Sequence, residues 1–221
     1  MEIPTLSRTP FLRRLRNYAS AIIILFSLVS FGQAQPADSI REHLFGLEVD
    51  PVPFALGGGA AHLTWTPKQS DHFTIGLNLI VNVTYPDFVV NMNSQNRDQG
   101  WSVKINQGIG HWVHYYIKAR NRGWFVGLQM ATMEMELTND SYPGAKNRTN
   151  LIMFAGQAGY HWYPWSDNGI FLRPWAGLGY QTVIKGTFEP GKVTTDMRIG
   201  DKTFELDEFL PFVAIHIGYT F

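Results

Sequence analysis

The last eleven residues of the chain, Pro211 to Phe221, read PFVAIHIGYTF. Val213, Ile215, Ile217, Tyr219 and Phe221 share one parity, and Phe212, Ala214, His216, Gly218 and Thr220 share the other. Successive side chains of a β-strand point to opposite faces. A strand built from this segment carries an unbroken apolar band on one face and mostly small or polar groups on the other. That division suits hydrocarbon on one side and a wet, crowded interior on the other.

Seven more segments alternate in the same way. With the last, they cover roughly 44–56, 60–66, 72–84, 108–118, 123–136, 150–163, 169–185 and 209–221. Most exceed the ~9–11 residues that a tilted strand needs to cross a bilayer. An even number lets an antiparallel sheet close with both chain ends on one side. The sequence therefore predicts an all-β fold, an eight-stranded antiparallel up-and-down transmembrane β-barrel over 44–221.

The connections support this division. Pro67–Asp71, Ala119–Arg122 and Pro164–Asn168 are short, whereas 85–107, 137–149 and 186–208 are long and polar or mixed. Gly57-Gly58-Gly59 is the exception, a tight first turn on the long-loop side. The 186–208 connection is expected to project outward as a charged hairpin. Trp65, Phe73, Tyr115, Trp124, Trp162, Tyr163, Phe171, Tyr219 and Phe221 gather beside the short turns, with Tyr85, Phe188 and Phe209 at the opposite ends. Interfacial aromatic girdles account for such a layering. The competing architecture, a soluble β-sandwich, gives no reason for it.

The amino terminus fits the same destination. Arg13, Arg14 and Arg16 precede the apolar run Ala21–Phe31, and Gly32 and Ala34 stand at −3 and −1 of a cleavage point. This reads as a cleavable signal peptide over 1–34, since the run falls short of the about 20 apolar residues of a spanning helix. A short lead-in, 35–43, follows. Lys plus Arg and Asp plus Glu balance at 18 each. Cleavage removes four of the arginines and Glu2, leaving a slight acidic excess. No basic surface is concentrated enough to expect nucleic acid as a partner. The chain has no cysteine, which excludes disulfides, thiol nucleophiles and thiolate metal sites.

Parity also sorts the interior. Phe73, Ile75, Leu77, Leu79, Val81 and Val83 are expected to face lipid, and Thr74, Gly76, Asn78, Ile80, Asn82 and Thr84 to face inward. In the first strand Leu47, Val49, Pro51 and Pro53 point out, while Glu48 and Asp50 point in. The fourth strand is ambiguous: placing Val113, Tyr115 and Ile117 outward leaves His114 inside and His111 outside, unless a bulge intervenes. Glu134 falls on the outward parity of the fifth strand, so it and Glu136 should lie above the hydrocarbon. Eight strands enclose a space just wide enough for side chains to fill. The predicted interior is a polar plug of Glu48, Asp50, His62, Asn78, Gln129, Gln157, His161, Arg173, Gln181 and His216. Charges there must be paired, and Arg173 with Glu48 or Asp50 is the expected cross-lumen pair.

A search for chemistry finds little. His62-Leu63-Thr64 and His72-Phe73-Thr74 lack the serine of a His-x-Ser hydrolase pair, and His161-Trp162-Tyr163 and His216-Ile217-Gly218 offer no nucleophile. His111 and His114, three apart on a strand, point to opposite faces and cannot clamp one metal ion. No catalytic residues, metal or cofactor are expected. The acidic excess of 186–208 is read as an ordinary solvated loop rather than a cation site.

The terminal strand resembles that of bacterial outer-membrane β-barrels, which typically ends on Phe. As a whole, Phe45 to Phe221 resembles the small outer-membrane barrels of the OmpA/OmpX type. The resemblance implies an outer-membrane location with short turns periplasmic and long loops extracellular, and no appended periplasmic domain. It implies lipids and lipopolysaccharide as surroundings and a monomeric state. It also implies that Val213, Ile215, Ile217, Tyr219 and Phe221 are read by the barrel assembly machinery. The function expected is non-enzymatic: a plugged barrel whose outer loops serve envelope integrity or surface interaction. A narrow channel for small or apolar solutes and a lipid A-modifying acyl hydrolase or acyltransferase are the rivals.

Overall fold

The computed structural model describes residues 44–165, 169–184 and 197–221. The expected leader, 1–34, and lead-in, 35–43, lie outside the described residues, as does most of the turn Pro164–Asn168. Eight antiparallel strands close into a ring: β1 (Phe45–Val49), β2 (Gly59–Trp65), β3 (Phe73–Thr84), β4 (Trp101–Tyr116), β5 (Gly123–Asn139), β6 (Lys146–His161), β7 (Ile170–Ile184) and β10 (Phe209–Thr220), which returns to β1. Between β7 and β10 the short strands β8 (Arg198–Ile199) and β9 (Lys202–Thr203) form a separate two-stranded hairpin. Each barrel strand pairs with its chain neighbour except at closure, so the topology is up-and-down.

The first strand is shorter than the sequence suggested. It stops at Val49, and Pro51–Ala55 forms a one-turn helix, α1. Asp50, expected inside the lumen, caps that helix instead, its carboxylate accepting from the Val52 N–H at 3.1 Å. Pro51 and Pro53 explain the break. Neither can donate to a strand ladder, and Pro is tolerated in the first turn of a helix, where N–H groups have no partner. The α1 turn ends on Gly57, whose φ of +79° needs no side-chain accommodation.

β4, β5 and β6 are longer than predicted. β4 begins at Trp101, preceded by a second short helix, α2 (Asp87–Val90). The fifth connection shrinks to the turn 140–145 between Asn139 and Lys146. Residues 197–208, expected to project outward with the rest of their loop, fold back instead. Ile199 and Phe204 are buried.

Alternation holds along most of the ring and fails at one place. Val81 pairs with Gln107 and Val83 with Ile105, which leaves Asn82 and Asn106 out of the ladder, and β4 is also bulged at this point against β5. Asn82 adopts a left-handed φ of +56°, a conformation that Asn tolerates better than most residues. The consequence is a parity switch. Val83, predicted to face lipid, is 3% exposed inside the barrel, whereas Asn82 and Thr84, predicted inside, are exposed. No register shift falls between His111 and His114, so regular pleating points His111 outward and His114 inward. Glu134 and Glu136 sit on the outer face near the long-loop end, held there by Asn106 and by Lys146 and Arg148.

The ring is inverted relative to an ordinary globular sheet. Leu47, Leu63, Leu79, Val126, Leu128, Leu178, Val213 and Ile217 are exposed on the outer face. Trp65, Phe73, Tyr115, Trp124, Trp162, Tyr219 and Phe221 are exposed at the short-turn end.

Candidate functional site

The interior is the only place where many titratable groups converge among the described residues, and it is divided in two. Near the short-turn end lies a polar and aromatic layer. Arg173 of β7, 1% exposed, pairs through Nη2 with the Glu48 carboxylate of β1. Its chemically plausible rival, Asp50, is no longer in reach because α1 removes it from the strand. His216 of β10 completes the group. Its Nε2 accepts from the Trp175 indole N–H at 3.0 Å. That fixes the proton on Nδ1, which donates to Glu48 Oε2 at 3.0 Å. The close approach of Arg173 Nη2 to the same Nδ1, 3.2 Å, is therefore a contact between two donors that share one carboxylate oxygen.

Rings surround this centre. His62 packs on His216 with centroids 4.2 Å apart. Trp112 lies 4.4 Å from the Arg173 guanidinium carbon in a cation–π arrangement and stacks on His114 at 3.8 Å. Such bulk fits a narrow ring only because neighbouring strands offer glycine. A Cβ on Gly76 would stand 2.1 Å from the Trp112 ring, and one on Gly127 would stand 2.4 Å from His114. Several buried polar atoms, among them Glu48 Oε1, Arg173 Nε and both His62 nitrogens, have no protein partner among the described residues.

Below it, Tyr116 OH and His161 Nδ1 meet at 2.9 Å, and Tyr163 OH lies 3.3 Å from Thr220 Oγ1. A ring of small polar side chains closes this end. Thr66 and Thr74 hydroxyls are 3.0 Å apart, and Asn121 bridges them, accepting from Thr74 at 2.7 Å and donating to Thr66 at 2.9 Å.

The half nearer the long loops is different. Val83, Val103, Ile105, Met133, Met135, Leu137, Leu151 and Met153 form an apolar core that the parity reading, which expected polar filling throughout, did not contain. Residues 197–208 strap across its outer end. Phe204 packs edge-on against Trp101, and Asn96 pairs with the backbone of Glu205 in both directions, at 2.8 and 2.9 Å. Gln181 donates to the Asp207 carbonyl at 2.9 Å.

Of the residues predicted to fill the lumen, Glu48, Arg173, His216 and His62 come together. Asn78, Gln157 and His161 are buried on the inner face around them. Gln129 is half-buried. Gln181 lies apart under the strap, and Asp50 is outside the group. Val213, Ile215, Ile217, Tyr219 and Phe221 are exposed on the outer face. The sequence reading missed Trp112 and Phe125 as inner neighbours of Arg173, and left His114 ambiguous. The inward glycines opposite Trp112 and His114 were the available signal. As chemistry, the layer holds a charge pair and neutral donors and acceptors. Its hydroxyls are those of Tyr and Thr.

The chain matches no protein-family model, no curated protein and no solved structure.

Proposed function

We propose that this chain is an integral bacterial outer-membrane protein of the small OmpA/OmpX-like barrel type, secreted with a leader over 1–34. It is anchored by its outer face and presents its long-loop end to the exterior for envelope integrity or surface interaction. The observation that carries the reading is the inversion of polarity: outward side chains on the barrel strands are predominantly apolar, while the Arg173–Glu48 pair is 1% exposed inside. In water that arrangement is unfavourable, since each exposed Leu or Val forgoes about 1.5–3 kcal/mol of burial. In a bilayer those side chains meet hydrocarbon instead, and the ion pair is kept away from it. The ring also pairs most of its backbone groups along the ladder, as membrane depth requires. The filled polar layer argues for a plug rather than an ion path, and among the described residues the interior holds no nucleophile–base pair with serine.

The test is cellular fractionation with amino-terminal sequencing. The expected result is an outer-membrane band that shifts on heating in SDS and begins at Gln35. A soluble periplasmic or cytoplasmic product refutes the reading. Unchanged lipid A mass spectra and electrically silent planar bilayers are expected from the same preparation; a changed acyl pattern or discrete conductance steps would favour the enzyme or channel instead.

A further inference from the structure

The ring is closed unevenly. β1 pairs with β10 over four positions, from Gly46 with Thr220 to Val49 with Ile217, whereas β7 pairs with β10 from Tyr219 up to Phe209. Beyond Ile217, toward the long loops, no strand lies beside the other edge of β10 among the described residues. The identity of the groups on that edge follows from the ladder. Phe221 exchanges both backbone hydrogen bonds with Phe45, at 3.2 and 2.9 Å, while Thr220 N–H turns to Gly169. Odd-numbered residues of β10 thus direct their peptide groups toward β1. Val213 and Ile215 face the gap with N–H and C=O, and Pro211 faces it with no N–H to leave unpaired.

α1 occupies the foot of this gap but belongs to the other side. The Leu56 carbonyl accepts from Thr84 N–H at 3.3 Å, and a Cβ on Gly58 would lie 2.3 Å from the Val81 carbonyl oxygen. Against β10, α1 makes contact without strand pairing. A cavity of about 40 Å³ lies between the end of β3 and the start of β10, lined by Tyr85, Val90, Leu206 and Leu210, with Met135 and Leu151 behind. Outside the gap, Val52 and Val213 continue the apolar outer face, 45% and 56% exposed.

We propose that this gap is a lateral doorway by which the alkyl chain of an outer-leaflet amphiphile reaches the apolar half of the interior. The inference rests on the membrane reading given above. Among the described residues, the strap over 197–208 covers the chamber from the exterior and the Arg173 layer closes it from below, which leaves the side as the approach. Outward Val52 and Val213 and the inward Val90, Met135, Leu151 and Leu210 are apolar, while Glu205 and Asp207 of the strap line the outer side of the cavity. Methionine is suited to repacking around a flexible chain. Peptide groups open to hydrocarbon are costly, and the polar end of an amphiphile at the gap relieves that cost at Val213 and Ile215. A second copy of β10 adding a strand is disfavoured by Pro211, which interrupts any ladder formed there.

The full-length protein, reconstituted in phospholipid vesicles, would be irradiated with dodecanoic acid carrying a terminal diazirine and mapped by peptide mass spectrometry. Expected are saturable adducts on inward Met135, Leu151 or Leu206, competed by excess dodecanoic acid and lost in Val90→Trp, which fills the cavity. Adducts on outward Leu79 and Leu128 should rise with bulk probe and ignore the variant. Leu206→Trp, in the strap, provides a second filling variant should Val90→Trp prevent folding. Inserted, heat-shifting protein with outward adducts alone overturns the doorway and leaves the membrane reading intact. Inward adducts that persist in a folded filling variant also overturn it. A chain that fails to insert overturns both.

Discussion

The two halves of the interior solve the same packing problem with opposite chemistry. The layer near the short turns fills its space with one ion pair, histidines and aromatic rings around Arg173. The half near the long loops uses Val, Ile, Leu and Met, as a soluble core does. The first gains a unique arrangement, because each donor and acceptor has to find its match or a water. The second gains adaptability, because methionine and leucine repack at small cost. Mutations should therefore behave differently in the two halves.

The largest effect is expected at the ion pair. Glu48→Leu strands a buried guanidinium and should cost about 3–5 kcal/mol in urea unfolding followed by tryptophan fluorescence, while the double variant Glu48→Leu/Arg173→Leu should recover most of that loss. A double variant as unstable as the single one would show that the layer depends on more than charge pairing. In the apolar half Leu151→Ala should cost about 2–4 kcal/mol through the cavity it leaves. Combined with Glu48→Leu it should be additive to within about 0.5 kcal/mol, and a larger coupling would mean that the halves are one unit. Gly76→Ala should destabilise by about 1–3 kcal/mol, since the new methyl runs into Trp112. The smallest change is expected at the parity switch. Asn82→Gly should be neutral or slightly stabilising, whereas Asn82→Val should lose about 1–2 kcal/mol to left-handed backbone strain. Equal stability of the two would remove the explanation offered for the inward turn of Val83.

Much of the wall was legible in the sequence, because a period of two is a local signal and the outer face demands apolar residues at every second position. In β10 the exposed residues Val213, Ile215, Ile217 and Tyr219 are those of the expected outward parity, and Arg173 and Gln181 of β7 are buried as expected. Legibility ended where the backbone departed from regular pleating. Nothing in a hydropathy pattern distinguishes Asn82 as a polar inward residue from Asn82 as a left-handed hinge. The run of Val and Thr after it then reads on the wrong face. α1 was written in Pro51 and Pro53, but the alternation of Leu47, Val49 and the two prolines masked it. The apolar half was hidden for a related reason: the bulge at Asn106 turns Val103 and Ile105 inward, and the beginning of β4 was read as loop. Within the site, the Arg173–Glu48 pair followed from parity and closure, whereas Trp112 depended on knowing which face of β4 was inner.

The uneven junction between β1 and β10 also bears on how the chain reaches its final form. β4, β5 and β6 are long hairpin neighbours whose contacts are near in sequence, so they can form early at little loop-closure cost. The junction joins opposite ends of the described chain through five residue pairs, Phe45–Phe221 among them, and one carboxylate. It is the slowest contact to find and the last to reward its discovery, which makes Glu48 the latch that a nearly finished cylinder must set before it holds its shape.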